Sequence, residues 1–397
     1  MNNYNSPRYL NKTDILYRIK KDFNIDEVWK EVQDYRKEKG IELPLLDQQG
    51  GDLFVVLTEE LKELIVKIDD IANKNLFENA RVEIKEEIMQ DALLDEAYQS
   101  SVIEGAHTTK KQTKKMIEEN IEPKDKSEKM VLNNYYALKY VMENKNEPIT
   151  EKTILDIYRI VTKGTLDEEE KSEKYRIDQN EVLNQLNEVI YTPPLAKNIQ
   201  SMMDGLIKFL YHEDENIHPI LKALIFHYYF VYIHPFHDGN GRTARALTYM
   251  YLLQNDYTFF KYFSISSMIA DSRGSYYKSI KDSEDSESDA TYFILVYSKI
   301  IMESIKKVTG DFLRQYQKDI ILDQIKTRGL GLNKRQEKAI NFMLRYSKSI
   351  DVNTYINKIN KVSQETGRKD LNDLVEFNLV EKIKTKSNKF EYSIKFL

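Results

Sequence analysis

The chain contains no cysteine, which excludes a disulfide framework, a thiolate metal site, an iron–sulfur cluster and a nucleophilic thiol. A reducing compartment fits this composition. Glycine and proline are scarce, 13 and 8 among 397 residues, so collagen-like and loop-rich chains are excluded and long uninterrupted helices are favoured. Charge of one sign is also missing. The 59 Lys and Arg side chains stand against 64 Asp and Glu, for a net charge of −5, so the whole molecule is not drawn to nucleic acid and any such surface must be local. Long apolar runs are absent as well: residues 221–233 are interrupted by Lys222 and His227 and fall short of the roughly 20 residues of a membrane-spanning helix. Residues 1–14 are polar and lack the apolar stretch of a signal peptide. We therefore expect a cytoplasmic protein with no membrane partner.

With 41% hydrophobic and 31% charged residues, the chain can bury a core and stay soluble. Apolar residues recur at helical spacing through most of it, so the fold class is expected to be mainly α. Leu61, Leu64, Ile65 and Ile68 form one such stripe. Further helices are predicted over 82–103, 130–142, 153–161 and 199–210, the first ending near Glu104. Residues 182–191 break this rhythm with β-branched and aromatic residues before Pro193 and Pro194, the pattern of a β-hairpin. The last segment, 329–397, has stripes for three short helices, Thr366 as a cap of the third, and two alternating segments around a Ser-Asn turn. That order predicts a winged helix. The expected division is 1–58 of unassigned role, a helical region 59–130, a core 131–310, a linker helix 311–328 and the winged helix 329–397.

The chemistry is concentrated in His234-Pro-Phe-His-Asp-Gly-Asn-Gly-Arg-Thr-Ala-Arg245. This segment lies between two stretches that are apolar nearly all round, so it is predicted to be a loop joining two buried helices. Pro235 ends the first helix, and Gly239 and Gly241 let successive N–H groups converge at the start of the second, which makes an anion nest. Arg242 and Arg245, one turn apart, are expected to project to one side, where two guanidinium groups suit a polyphosphate. Asp238 offers a hard oxygen for Mg²⁺ and His234 a base near neutral pH. Phosphoryl or nucleotidyl transfer is the chemistry these groups share.

The segment resembles the signature HPFx(D/E)GNGRxxR of the Fic family, whose usual activity is transfer of AMP from ATP to a protein hydroxyl. The resemblance implies a Fic-type helical core with a β-hairpin flap. It also implies roles: His234 as base, Asp238 as Mg²⁺ ligand, Gly239, Asn240, Gly241 and Arg242 as phosphate cradle, Arg245 as γ-phosphate contact and Phe236 as anchor of the loop. Ser100-Ser-Val-Ile-Glu104-Gly105 is similar to the inhibitory motif (S/T)xxxE(G/N) of some relatives. There the Glu pairs with the second arginine, here Arg245, and denies it to ATP. The 182–191 hairpin sits where relatives have the flap that docks a target segment bearing a Tyr, Thr or Ser hydroxyl. Val189, Ile190 and Tyr191 would approach the nucleotide, and Tyr175 and Arg176 lead into this flap. Tyr276, in Ser275-Tyr276-Tyr277, resembles the contact to the adenine region; Glu284 stands where relatives often have Asn.

Other readings remain at this stage. A Doc-type kinase carries Lys where this chain has Gly241. Other phosphate donors, or removal of AMP by the same site, use the same loop. A DNA-binding regulator would act through Arg368, Lys369 and the wing lysines Lys382, Lys384, Lys386 and Lys389, although docking or a homodimer contact is the commoner use of such a module. A metal hydrolase on His227, His234 and His237 requires those three to converge.

Overall fold

Scarcity of helix breakers has the expected result. The computed structural model describes residues 8–18, 24–73, 82–183, 189–212, 217–286, 288–345, 349–385 and 389–395, and helices dominate them. The fold divides into two units, Met1–Ile305 and Lys306–Leu397. Within the first unit, α1 (Lys12–Leu16) and α2 (Ile25–Lys39) precede an antiparallel strand pair, β1 (Ile41–Leu46) and β2 (Asp52–Val55). Then come α3 (Glu59–Asn73), α4 (Val82–Ile103), α5 (Lys110–Glu118), α6 (Lys126–Glu143) and α7 (Glu151–Thr162). The short strands β3 (Val182–Leu183) and β4 (Val189–Tyr191) follow, and after them α8 (Ile199–Tyr211), α9 (Pro219–Ile233), α10 (Asn240–Gln254), α11 (Ile265–Asp271), α12 (Arg273–Glu284) and α13 (Thr291–Thr327). The last of these runs past the boundary between the units, so the linker helix expected over 311–328 is largely its continuation.

Helix α9 is buried from Ile220 to Phe230 without interruption and α10 from Arg242 to Leu253. They pack on each other at the centre, with α4, α6 and α7 against α10. Each fully buried Leu, Ile or Phe there contributes about 1.5–3 kcal/mol. This is why neither helix shows an amphipathic stripe in sequence. Pro219 sits at the start of α9, where its missing N–H costs no hydrogen bond.

Residues 8–18 and 24–55, uninformative as sequence, are built into this unit. The Arg36 guanidinium is 1% exposed, donates to the Leu10 carbonyl at 2.8 Å and lies 3.8 Å from the Tyr9 ring centre. Leu43 and Leu45 alternate inward from β1 with Pro44 outward, as an edge strand tolerates.

The second unit contains α14 (Lys334–Arg345), β5 (Ser349–Ile350), α15 (Val352–Thr354, continued as one π turn to Asn360), α16 (Gln364–Glu376), β6 (Val380–Lys384) and β7 (Phe390–Ile394). Its sheet has the order β5-β7-β6, all antiparallel. Ile340, Met343, Tyr355, Leu371, Leu374 and Tyr392 form its core. The expected cap of the third helix is corrected: Ser363 is the N-cap, accepting from the Thr366 N–H at 3.2 Å, and Thr366 lies inside the first turn. The Ser-Asn turn expected in the terminal hairpin lies outside the described residues.

Candidate active site

The loop between α9 and α10 opens on His234, which caps α9 in the left-handed conformation at φ 50° and ψ 59°. That geometry is unusual for a residue with a Cβ and needs surrounding support. Arg176 supplies it. Its side chain is 2% exposed and donates to the carbonyls of His234 at 2.9 Å, Asp178 at 2.9 Å and Pro194 at 2.6 Å, while its own N–H donates to the Pro235 carbonyl at 2.9 Å. One guanidinium thus ties the end of α9 to both margins of the β3–β4 hairpin. In sequence its one signal is its position before the hairpin; the role depends on carbonyls distant in the chain.

Phe236 anchors the loop as expected, 1% exposed and stacked on Tyr158 with ring centres 3.6 Å apart. Asn240 was expected in the phosphate cradle, but its side chain is committed to the loop: Oδ1 accepts from the Phe236 N–H at 3.0 Å and Nδ2 donates to the Phe236 carbonyl at 2.7 Å. Gly239 has φ 84°, a left-handed turn, and a Cβ there would meet Thr162 Cγ2 at 2.7 Å. Gly241 lies in α10, and its need for a bare Cα is different. A Cβ at that position would collide with the Glu104 carboxylate.

The two arginines diverge, contrary to the expectation that they project together. Arg242 is 0% exposed; it donates to Asp238 at 3.0 and 3.1 Å and to the Val161 carbonyl at 3.3 Å. Its side chain braces Asp238 and the end of α7. Arg245 reaches α4, where Nε donates to Ser100 Oγ at 2.8 Å and Nη2 donates to the Ser100 carbonyl at 2.9 Å and Glu104 Oε1 at 2.7 Å. Burial opposes the charge of Arg245, but Glu104 beside it more than offsets this and holds it protonated. Because Gly239 as N-cap provides no side-chain hydrogen bond, the first N–H groups of α10 keep their capacity for an anion.

His234 Nδ1 is buried without a hydrogen-bond partner among the described residues. Burial, with Arg176 adding like charge, lowers its pKa to about 4, so the imidazole is neutral near pH 7 and able to accept a proton. The three histidines do not form one group. His227 is 0% exposed and bonded to Thr248 Oγ1 at 3.1 Å and Tyr276 Oη at 2.9 Å, whereas His237 faces Asp178 at 3.1 Å. No cluster of three or more His, Asp or Glu side chains able to hold a metal occurs among the described residues. Asp238, with 30% of its side chain exposed, fits Mg²⁺ only in the manner of an ion brought in by phosphates and held by one carboxylate.

The expected hairpin is present as β3 paired with β4, Val182 opposite Tyr191; residues 184–188 lie outside the described ones. Val189 and Ile190 are placed by backbone on β4. The Tyr191 hydroxyl donates to the Tyr232 carbonyl at 2.6 Å, one residue before the end of α9. Tyr276, expected at the adenine region, is buried on the His227 side. It is 2% exposed, with its hydroxyl on His227 and its ring against Phe293 and Tyr297. The partly exposed ring is that of Tyr277, with Arg273 over its face at 5.6 Å.

Residues 148–252 match the sequence profile of the Fic/DOC family. The chain is 33% identical over 193 residues to a protein adenylyltransferase Fic of Nematostella vectensis, covering 47% of this chain and 43% of that protein. It is 32% identical over 175 residues to one of Aedes aegypti, covering 42% and 34%. The matches therefore span less than half the length of these relatives. Among solved structures, a Fic family protein from Desulfovibrio desulfuricans G20 shares the fold at TM-score 0.55 and 19% identity, covering 86% of this chain and 98% of that one. A Fic domain containing signaling protein from Bacteroides thetaiotaomicron VPI-5482 does so at TM-score 0.51 and 20% identity, covering 63% and 94%.

Proposed function

We propose that this chain, whose residues 148–252 match the Fic/DOC family profile, is a protein adenylyltransferase held inactive by α4 and the turn that follows it. The observation that carries this reading is the seating of the Glu104 carboxylate on Arg245 and against Gly241. A carboxylate placed there fills the charge and the space that a terminal phosphate of ATP would use.

When α4 withdraws Glu104, Arg245 and the N–H groups of Asn240, Gly241 and Arg242 receive the triphosphate. Asp238, held in place by Arg242, would carry the Mg²⁺ that enters with ATP, and the ion supplies charge neutralisation between the phosphates. An acceptor segment aligns along the β3–β4 flap by strand-type hydrogen bonds. Neutral His234 takes the proton of its Tyr, Thr or Ser hydroxyl, and that oxygen attacks the α-phosphorus. The bond to the bridging oxygen breaks, pyrophosphate leaves and AMP remains on the protein. A purine stacked near α12 meets Tyr277 in preference to the buried Tyr276. The helix, strand, helix, helix, strand, strand order of the second unit supports a winged helix there.

ATP labelled at the α-phosphate, compared with ATP labelled at the γ-phosphate, tests the reading in Glu104→Gly protein with an acceptor source. Transfer of the α label alone is expected. Transfer of the γ label alone would mean a kinase and reject AMP transfer.

A further inference from the structure

We infer that Glu96, buried well away from the loop chemistry, is the positioning residue that holds the inhibitory face of α4 in register; this rests on the proposed role of Glu104. Glu96 and Ser100 on α4 and Glu104 in the turn just after it recur at intervals of four, and Gly241, Arg245 and Tyr249 recur likewise on α10. The two series meet in opposite order. Glu104 lies on Gly241 and Arg245, Ser100 on Arg245, and Glu96 accepts from the Tyr249 hydroxyl at 3.1 Å. A polar ladder therefore runs along the contact of the two helices.

At its far end Glu96 is 2% exposed. Its Oε2 also accepts from the Ser266 N–H at 2.9 Å and the Ser264 hydroxyl at 3.1 Å, and its Oε1 from the Ser266 hydroxyl. Burial raises its pKa, and these donors work against that shift. The segment from Ser264 to Ser266 begins α11 and is itself tied to α10, because the Ile265 N–H donates to Tyr249 Oη at 3.0 Å. Glu96 thus joins α4, α10 and α11 at one point. No part of the reaction requires a carboxyl there. Removing a buried acceptor leaves several donors unsatisfied, so the cost must be met by a shift of α4. Such a shift moves Ser100 and Glu104 together, since the turn with Glu104 follows directly on the helix. Beside Glu104, the last residue of α4 is also held by Arg273, which donates to the Ile103 carbonyl at 2.8 Å. Loss of the Glu96 contact therefore loosens the seating of α4 on α10 and α11 without deleting any group that touches Arg245.

The test uses the full chain with Glu96→Ala, Glu96→Gln and Ser266→Ala, each alone and combined with Glu104→Gly. Two readouts are taken: label from α-labelled ATP, and amide exchange over 100–106. Glu96→Ala should raise labelling over wild type by about fivefold or more, the lower range of coupling between sites, and should speed exchange at the end of α4. It should add nothing once Glu104 is Gly. Glu96→Gln, which can still accept from the Ser266 N–H, should restore the wild-type level. Where Glu96→Ala does not fold, Ser266→Ala should give the same changes in milder form. Folded variants with wild-type labelling and exchange, beside an active Glu104→Gly protein, would overturn the inference. If Glu104→Gly itself transfers no nucleotide, the AMP-transfer reading fails, and exchange alone decides on the ladder: faster in Glu96→Ala supports it, unchanged rejects it.

Discussion

A neutral imidazole, a braced carboxylate and an occupied arginine are three single-residue facts from which most of the chemistry follows. Because burial lowers the pKa of His234 to about 4, labelling by Glu104→Gly protein should be flat from about pH 5.5 to about pH 8 on account of this group. A limb near the ordinary histidine value of about 6.5 would show that His234 is exposed to solvent in the working enzyme. The same shift affects stability. Between about pH 6.5 and about pH 4 the unfolded chain binds a proton that folded His234 does not, so its contribution is complete above that window and is lost as pH falls through it. Chemical denaturation at several pH values reads the slope. At Glu104, replacement by Gln keeps the shape and loses the charge on Arg245. Hydrogen bonds to charged groups contribute about 1.5–3 kcal/mol, so Glu104→Gln should label faster than wild type and slower than Glu104→Gly in matched rate assays.

The loop between α9 and α10 is held as an element by Phe236 within it and by Arg176 outside it. Phe236→Ala removes a ring that is 1% exposed and stacked on Tyr158; it should destabilise the chain by about 3–5 kcal/mol, measured by urea unfolding. Arg176→Lys cannot span the carbonyls of Asp178, Pro194 and His234 with one ammonium. We expect a lower melting temperature and reduced labelling in the Glu104→Gly background, and an unchanged melting temperature would remove Arg176 from the account. Sequence legibility also divides at this scale. The helices and hairpin were readable because periodicity and turn residues are local, and Ser100 and Glu104 because their motif resembles the one that some Fic relatives carry. Arg176 and Glu96 were not, since what defines them is partners distant in the chain. The side-chain directions of Asn240, Arg242 and Tyr276 were not legible for a related reason. Motif spacing says which residues gather at a loop, whereas the direction of each side chain is settled by packing against α7 and α13. The strand pair β1–β2 was missed because Pro44 and short length hide its alternation.

On the scale of the whole molecule the comparisons cover less than half of the curated relatives, and the second unit supplies a separate question. The exposed side of α16 carries Arg368 and Lys369, but also Glu365 and Glu376, which weakens its attraction for phosphates. At about 150 mM salt the full chain should therefore not retard duplex DNA in a gel; retardation that falls steeply with salt would restore the regulator reading. The central claim, that Glu104 on Arg245 keeps an otherwise competent site inactive, is tested most directly by one measurement. Initial rates of label transfer from α-labelled ATP with Mg²⁺ are compared in wild type, Glu104→Gly and Glu104→Gly with His234→Ala. A rise on the order of 10- to 100-fold in Glu104→Gly, abolished by the second substitution, is predicted. Equal rates in wild type and Glu104→Gly, or transfer that survives loss of His234, would contradict it.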